Sequence, residues 1–553
     1  MSRPSPETRH SRLNYRTENG SLCFSALLLS RHPQRDQRML SIRNFVLPTP
    51  RNIFCGAMIA AAVSVFATGA RAAMTISKAP TALVSCTSNS CYQTGEGNAV
   101  LNVSQLQTLL ASSSVQVVGR SLISVDAEIT WANASALTLN ALEITINQPI
   151  VVAGAGGLTV EPAAFSQVVF GAKGNITFWS TSSNLNIGVY EHTTSYTLVN
   201  SIAMLASDIA AKPSGNYALA NSYNASSDGT YASSPIPSFS GNFIGLNNTI
   251  SHLSISDKVA GHQVGLFGTL LGESEILWLK LKDTYVRGGN DSQVGALIGV
   301  NSTFAQVRYS SADGSVSTGT GTKGGNPGAI AGGLVGLNYG TIEDSYTTGT
   351  VKGGKNAIIG GIAGEDGVTG IYNLGGDVGA VYSTMTVTLA SGACTGCTIG
   401  QPENSAGGVV GVNYGGVYAA YATGPVTGGS FANLGGLIGW EDSTASAGNY
   451  AVSDDYSTST VTGETGSSVG GAIGFDVTPG YIRDVYWDTT TSGITNSNQG
   501  TGNIANDAGI TGLTTAQLQS GLPAGFSSDP EIWGESPSIN GGLPYLLAIP
   551  PNK

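Results

Sequence analysis

The chain has 553 residues, 24 Lys+Arg against 35 Asp+Glu for a net charge of −11, and 76 glycines. Only 11% of residues are charged, where a globular domain averages about a quarter. The acidic balance argues against nucleic acid and anionic membrane surfaces, which need basic patches, and the 41% hydrophobic content in regularly placed runs argues against disorder.

Residues 1–72 differ from everything after them. They hold ten of the basic residues, all Arg, and three of the acidic ones, which leaves 14 basic and 32 acidic groups on residues 73–553, a charge of −18. Arg43 and Arg51 precede the apolar run Ile53 to Thr68, and Ala70-Arg71-Ala72 follows it. A basic region, a short apolar run and an A-x-A site predict a secretory signal peptide cut after Ala72. The run is too short for a transmembrane anchor. The leader is long, and Met39 is a candidate start. The expected location is extracellular or outer cell surface, with the periplasm as the other exported destination.

Export implies an oxidising compartment. Cys23 and Cys55 lie in the leader, and Cys86, Cys91, Cys394 and Cys397 remain. Their local spacing predicts Cys86–Cys91 and Cys394–Cys397 disulfides pinning loop tips. A redox reading of Cys394-Thr395-Gly396-Cys397 lacks a βαβ context, and a four-cysteine zinc site would have to join pairs about 300 residues apart.

Residues 73–190 read as strands with one buried face. Ile123 to Asn140 alternates apolar and polar for much of its length, as do Leu158 to Val160 and, in part, Ile176 to Ile187. Residues 191–262 read as a junction: Ser201 to Ala211 is a short amphipathic helix with Ile202, Leu205 and Ile209 on its apolar side, and Phe243 to Ile250 leads into a repeat.

The repeat fills residues 263–493. Gly332 to Gly354 and Gly407 to Gly429 match at the glycines, at Asn-Tyr-Gly and at Tyr-x-Thr-Gly-x-Val-x-Gly-Gly. Weaker copies open at Val264, Val294, Gly360, Gly435 and Gly470. The closing glycines of the seven cores, Gly268, Gly299, Gly336, Gly364, Gly411, Gly439 and Gly474, are separated by 31, 37, 28, 47, 28 and 35 residues. Such a period marks a stacked unit with loop insertions. Apolar runs of two to four residues, often β-branched and with no helical period, predict short strands joined by tight turns. A propeller blade usually needs about 40 residues or more, longer than most of these gaps. The expected class is all-β, a parallel β-solenoid (β-helix) with short capping helices. Residues 494–553, with a small helix at Leu513 to Ser520 and bulk from Trp533 and Pro544 to Leu546, are the expected cap for an otherwise exposed last coil.

The run from Val125 to Val160 resembles the β-solenoid of filamentous-haemagglutinin-like proteins. The glycine-centred repeat resembles the GLUG motif carried by bacterial surface adhesins and some secreted peptidases. The resemblance implies a non-enzymatic adhesin that attaches to host or environmental glycans or surface proteins, without cofactor and without a membrane span in the mature chain. In the peptidases the activity belongs to a separate catalytic domain, which is not recognisable here. The chain departs from the family in two ways: no Asn-Pro-Asn-Gly-type export motif follows Ala72, and no run of alternating amphipathic strands suits an outer-membrane barrel.

Chemical motifs are sparse. Gly319, Gly321 and Gly324 form a Gly-x-Gly-x-x-Gly without a βαβ unit, and Gly349 to Lys355 imitates a phosphate loop but continues with Asn356 instead of Ser or Thr. There is no His-Glu-x-x-His. His192, His252 and His262 lack ligands at metal spacing and read as turn residues. The pairs Glu343-Asp344, Glu365-Asp366 and Asp454-Asp455 keep open an alternative, an extracellular polysaccharide-degrading β-helix enzyme with carboxylates on its face. Neighbours in a strand point to opposite faces, however, and Arg120, Arg287, Arg308 and Arg483 are scattered. Tyr346, Tyr382, Tyr421, Tyr456 and Tyr486 recur near one point of the repeat, either as a stacking ladder for sugars or as a structural column.

Overall fold

The structure, a computed structural model, describes residues 72–189, 192–322, 324, 328–367, 376–392, 399–443, 451–526 and 532–551. Cys394 and Cys397 lie outside the described residues, as does the predicted leader up to Arg71. Thr68–Lys553 forms one compact unit.

That unit is a parallel β-solenoid. One coil runs through Ile330–Gly332, Val335–Asn338, Thr341–Glu343 and Tyr346–Gly353, and each strand pairs in parallel with its counterpart in the coils before and after. The register holds over the repeat. Gly295, Gly332, Gly360, Gly407, Gly435 and Gly470 form one column, and Ile298, Val335, Ala363, Val410, Ile438 and Ile473 form another. The unequal gaps are absorbed between strands, as between Asp366 and Asp377 and between Leu389 and Ser405.

The paired glycines have a spatial cause. A Cβ on Gly332 would overlap the Val335 carbonyl oxygen, and one on Gly333 would overlap the Gly361 carbonyl of the next coil. Two sides of the coil meet there with backbone almost against backbone, so no larger residue fits. A second corner uses a different device. Trp278, Tyr309, Asp344, Ala380, Ala419, Asp454 and Asp484 all adopt left-handed backbone, φ 48–63°, at the same point of successive coils. The interior between the faces is a continuous apolar core of Val, Ile, Leu and Ala running from Val199 to Ile494.

Residues 73–189 form a first stack with its own core, including Met74, Ile123, Ile144 and Phe178. Helix α1, Val103–Leu110, covers its first coil, burying Val103, Leu106 and Leu110 and capped by the Asn102 side chain. Its Gln107 Oε1 accepts the Thr130 N–H at 3.1 Å and its Leu110 carbonyl accepts from Asn133 Nδ2 at 2.8 Å. An edge strand that would otherwise be open is thereby satisfied.

The chain then reverses. Asn184–Val189 runs antiparallel to His192–Val199, which pairs in parallel with Asn216–Leu219. Helix α2, Ile202–Ala211, is capped by Ser201 and buries Ile202, Leu205 and Ile209 into the second core. The predicted junction of residues 191–262 is therefore part of the second stack: Asn216–Leu219, Asn242–Ile244 and Glu275–Leu277 already pair in parallel. The stacks meet where Phe178 N–H donates to Ala220 O and Ile176 N–H to Leu246 O, with Trp278 against Phe170 and Tyr309.

After the last strand of the stack, Ile510–Leu513, and helix α3, Thr515–Leu518, the C-terminal segment turns back along the side of the stack. Phe526, Trp533 and Leu546 are buried there against the tyrosine column. The predicted cap thus covers a lateral face. Among the described residues no helix is long and apolar enough to cross a membrane.

Candidate functional site

The five tyrosines come together in one column, each in register with the next. Tyr346–Tyr382, Tyr382–Tyr421 and Tyr421–Tyr456 stack with centroids 4.9, 5.0 and 5.0 Å apart and planes within 11°. Trp533 packs on Tyr421 and Tyr456, Phe526 packs on Tyr456 and Tyr486, and the Tyr456 and Tyr486 hydroxyls donate to Pro544 O and Ala524 O at 2.6 and 2.9 Å. Tyr421 is 1% exposed and Tyr456 0%, so neither offers a ring to a sugar. The sugar-ladder reading is corrected: the column is structural, because the chain's own C-terminal segment fills the space a ligand would need. Tyr346, at the end of the column, stays half-buried.

Cys86 and Cys91 form a disulfide across the antiparallel pair Val84–Cys86 and Ser90–Gln93, joining the paired residues that close the turn between the two strands. Ala72 leads into the first strand, its carbonyl accepting from Ser121 Oγ at 2.8 Å. His262 Nδ1 lies 2.8 Å from Asp257 Oδ2 and His252 lies 3.9 Å from Asp283. Among the described residues no three His, Cys, Asp or Glu side chains are grouped to hold a metal ion.

The acidic pairs are split by the coil geometry. Glu343 faces outward, 2.9 Å from Arg308 and accepting the Tyr418 hydroxyl at 2.6 Å, while Asp344 sits on the left-handed corner. Burial, and then Glu343, push the Asp344 carboxyl up to about 7. Glu365 lies between the buried Leu337 and Val412, where burial pushes its carboxyl up to about 7, and Asp366 is fully buried. Asp455 also points inward and accepts the Ala420 N–H at 2.7 Å.

Asp366 belongs to a buried column, Asn301, Asn338, Asp366, Asn413, Glu441 and Asp476, one residue per coil. Asn301 Nδ2 donates to Asn338 Oδ1 at 2.7 Å, Asn338 Nδ2 to Asp366 Oδ1 at 2.6 Å, and Asn413 Nδ2 to Glu441 Oε2 at 2.8 Å. Among the described residues the second oxygen of Asp366 has no hydrogen-bond partner. Burial raises all three carboxyls, Glu441 to about 7 and Asp476 to about 8, the latter helped by Glu441 and by Asp507 beside it. The column holds the coils in register and is sealed from solvent.

On the first stack, successive corners line a groove of about 450 Å³, with Arg120, Asn140, Leu142, Glu161 and Thr193 on its walls. Asn140 Nδ2 donates to Glu161 Oε2 at 2.6 Å, which fixes its polar floor.

These features define a class: a parallel β-solenoid whose coils combine a glycine corner, an inner amide–carboxyl column and an outer tyrosine column. Residues 328–352 match the family model of the GLUG motif. Among solved structures, a candidate immunoglobulin A1 protease from Bacteroides ovatus is similar at 17% identity and a TM-score of 0.39, over 64% of this chain and 93% of that one. No curated protein matches in sequence. Nothing in these comparisons points specifically to the filamentous-haemagglutinin-like family.

Proposed function

We propose that the protein is an exported, non-enzymatic adhesin-like solenoid that attaches to glycan or protein surfaces. The observation that carries this reading is the register. Because every coil repeats its corners in place, outward side chains recur at about 4.8 Å intervals along fixed columns, a geometry suited to an extended partner. The distribution of acids supports binding over catalysis. Glycoside cleavage needs two carboxyls flanking an open cleft, about 5–10 Å apart. Here each sequential pair is divided between faces or engaged, as Glu343 is by Arg308 and Tyr418. Export rests on the leader and needs no cofactor.

The test uses residues 73–553 on a glycan array and on immobilised surface proteins, alongside an assay for reducing ends released from polysaccharides. Saturable binding without turnover is expected. Polysaccharide cleavage that disappears in Glu343→Gln or Glu365→Gln would replace this reading with the polysaccharide-degrading enzyme.

A further inference from the structure

One outward corner of the second stack carries chemistry that neither the tyrosine column nor the buried column uses. Tyr339, Gly367, Tyr414 and Asp442 occupy the same position in four successive coils, each N–H bonded to the carbonyl of the coil before. Gly367 has no side chain, so the two tyrosines stand two coils apart, about 10 Å. Glu365, two residues before Gly367, lies in the adjacent column between the buried Leu337 and Val412, where burial pushes its carboxyl up to about 7. Both tyrosine hydroxyls are raised first by burial and then by Glu365, Tyr339 to about 12.

Three further groups complete the cluster. Trp440 lies 5.5 Å from Tyr414 in an edge-on arrangement, is 6% exposed, and among the described residues its indole N–H has no hydrogen-bond partner. Asp442 and Glu403 both help raise the Tyr414 hydroxyl, and Glu403 accepts the Gly324 N–H at 3.0 Å. Among the described residues no Lys, Arg or His pairs with Glu365, Asp442 or Glu403. Burial raises the Asp442 carboxyl as well, and a carboxyl buried without a cation either neutralises or gains a counter-charge. Aromatic faces attract a cation as well, by about 0.5–2 kcal/mol depending on desolvation. Three rings and three carboxyls without a counter-charge are therefore complementary to an organic cation.

We propose that this corner binds the ammonium or guanidinium group of a lysine or arginine side chain on a basic segment of a partner protein. The inference rests on the adhesin reading and names its partner. The −18 charge of residues 73–553 steers such a segment toward the solenoid, and the cluster supplies the point of specific contact.

The test is fluorescence anisotropy of a labelled lysine–serine peptide with residues 73–553, alongside a glutamine–serine peptide and a neutral oligosaccharide. The lysine peptide is expected to bind and the glutamine peptide not to. Glu365→Gln and Tyr414→Ala should each weaken binding about tenfold, Tyr414→Phe should retain it, and Glu96→Gln, at a side chain 95% exposed on the first stack, should leave it unchanged. Thermal midpoints of the variants separate lost binding from lost folding. The proposal is overturned if the lysine peptide does not bind, if Glu365→Gln and Glu96→Gln behave alike, or if only the neutral sugar responds to Glu365→Gln. In those cases attachment to the array keeps the adhesin reading standing, whereas loss of all attachment removes both.

Discussion

A methyl group at Gly332 would overlap the Val335 carbonyl oxygen and crowd Ala363 Cα at 2.7 Å in the next coil. Overpacking of backbone against backbone costs about 3 kcal/mol. Gly332→Ala is therefore expected to lower the urea midpoint markedly. At Gly272, with φ +61° and open space around it, the same change costs only backbone strain, about 1 kcal/mol. Equal midpoints for the two variants would mean the corner can relax. The tyrosine column gives a second contrast. The Tyr421 hydroxyl is buried without a partner, whereas Tyr456 donates to Pro544 O and accepts from Asn540 Nδ2 at 2.8 Å. Tyr421→Phe should stabilise by about 1 kcal/mol and Tyr456→Phe should destabilise by about 1–2 kcal/mol, read as opposite shifts in thermal midpoint.

The inner amide–carboxyl column makes stability depend on pH. Glu441 and Asp476 have folded-state values raised to about 7 and about 8, and Asp366 and Asp455 are raised too, chiefly by burial. Between the ordinary carboxyl range near 4 and these values the folded state holds more protons than the unfolded one, so stability falls as pH rises through that window. The loss for Glu441 alone is on the order of 3 kcal/mol. A higher thermal midpoint at pH 5 than at pH 8 is expected. Asp366→Asn, which keeps the shape and removes the charge, should raise the pH 8 midpoint and flatten the slope; a midpoint that climbs from pH 5 to pH 8 would refute the assignment.

Elements differed in how far they could be read from sequence, and for physical reasons. The glycine corners were legible because close approach admits only one residue type, and α2 because Ile202, Leu205 and Ile209 follow a capping Ser at helical spacing. The left-handed corners left no such trace: they are filled by Trp, Tyr, Asp and Ala, since the turn is imposed by the stack and not by the residue. The two early coils through Asn216–Leu219 and Asn242–Ile244 were read as a junction because they lack the glycine pair. The cover on the tyrosine column joins Trp533 to Tyr421 across more than a hundred residues, and the Tyr339–Glu365–Tyr414 corner is assembled from three coils. Both are products of tertiary stacking that periodicity does not report.

In the whole unit, each coil touches mainly its neighbours, so stability is close to a sum of coil and interface contributions. Two cores are distinguished, one through residues 74–198 and one from Val199 onward, and the first also takes in Ala218, Ile244, Leu246 and Trp278 from the early coils of the second stack. The joint has two components. One is hydrogen bonding: the backbone N–H groups of Ile176 and Phe178 donate to Leu246 O and Ala220 O, and the Asn248 side-chain amide donates to Ile176 O at 2.8 Å across the joint and to Leu219 O at 3.1 Å within its own stack. The other is Trp278, 3% exposed, which touches Phe165, Phe170 and Tyr309 from the left-handed corner of its coil. Removing a buried aromatic costs about 3–5 kcal/mol, and here the loss falls on the interface between stacks. Trp278→Ala is expected to split the calorimetric unfolding of residues 73–553 into two transitions, whereas Val410→Ala, a core change remote from the joint, should lower the midpoint of the second stack without creating a new step. A Trp278→Ala chain that still unfolds in one transition of unchanged width would show that the backbone bonds alone couple the stacks, and that the aromatic contact adds stability without cooperativity.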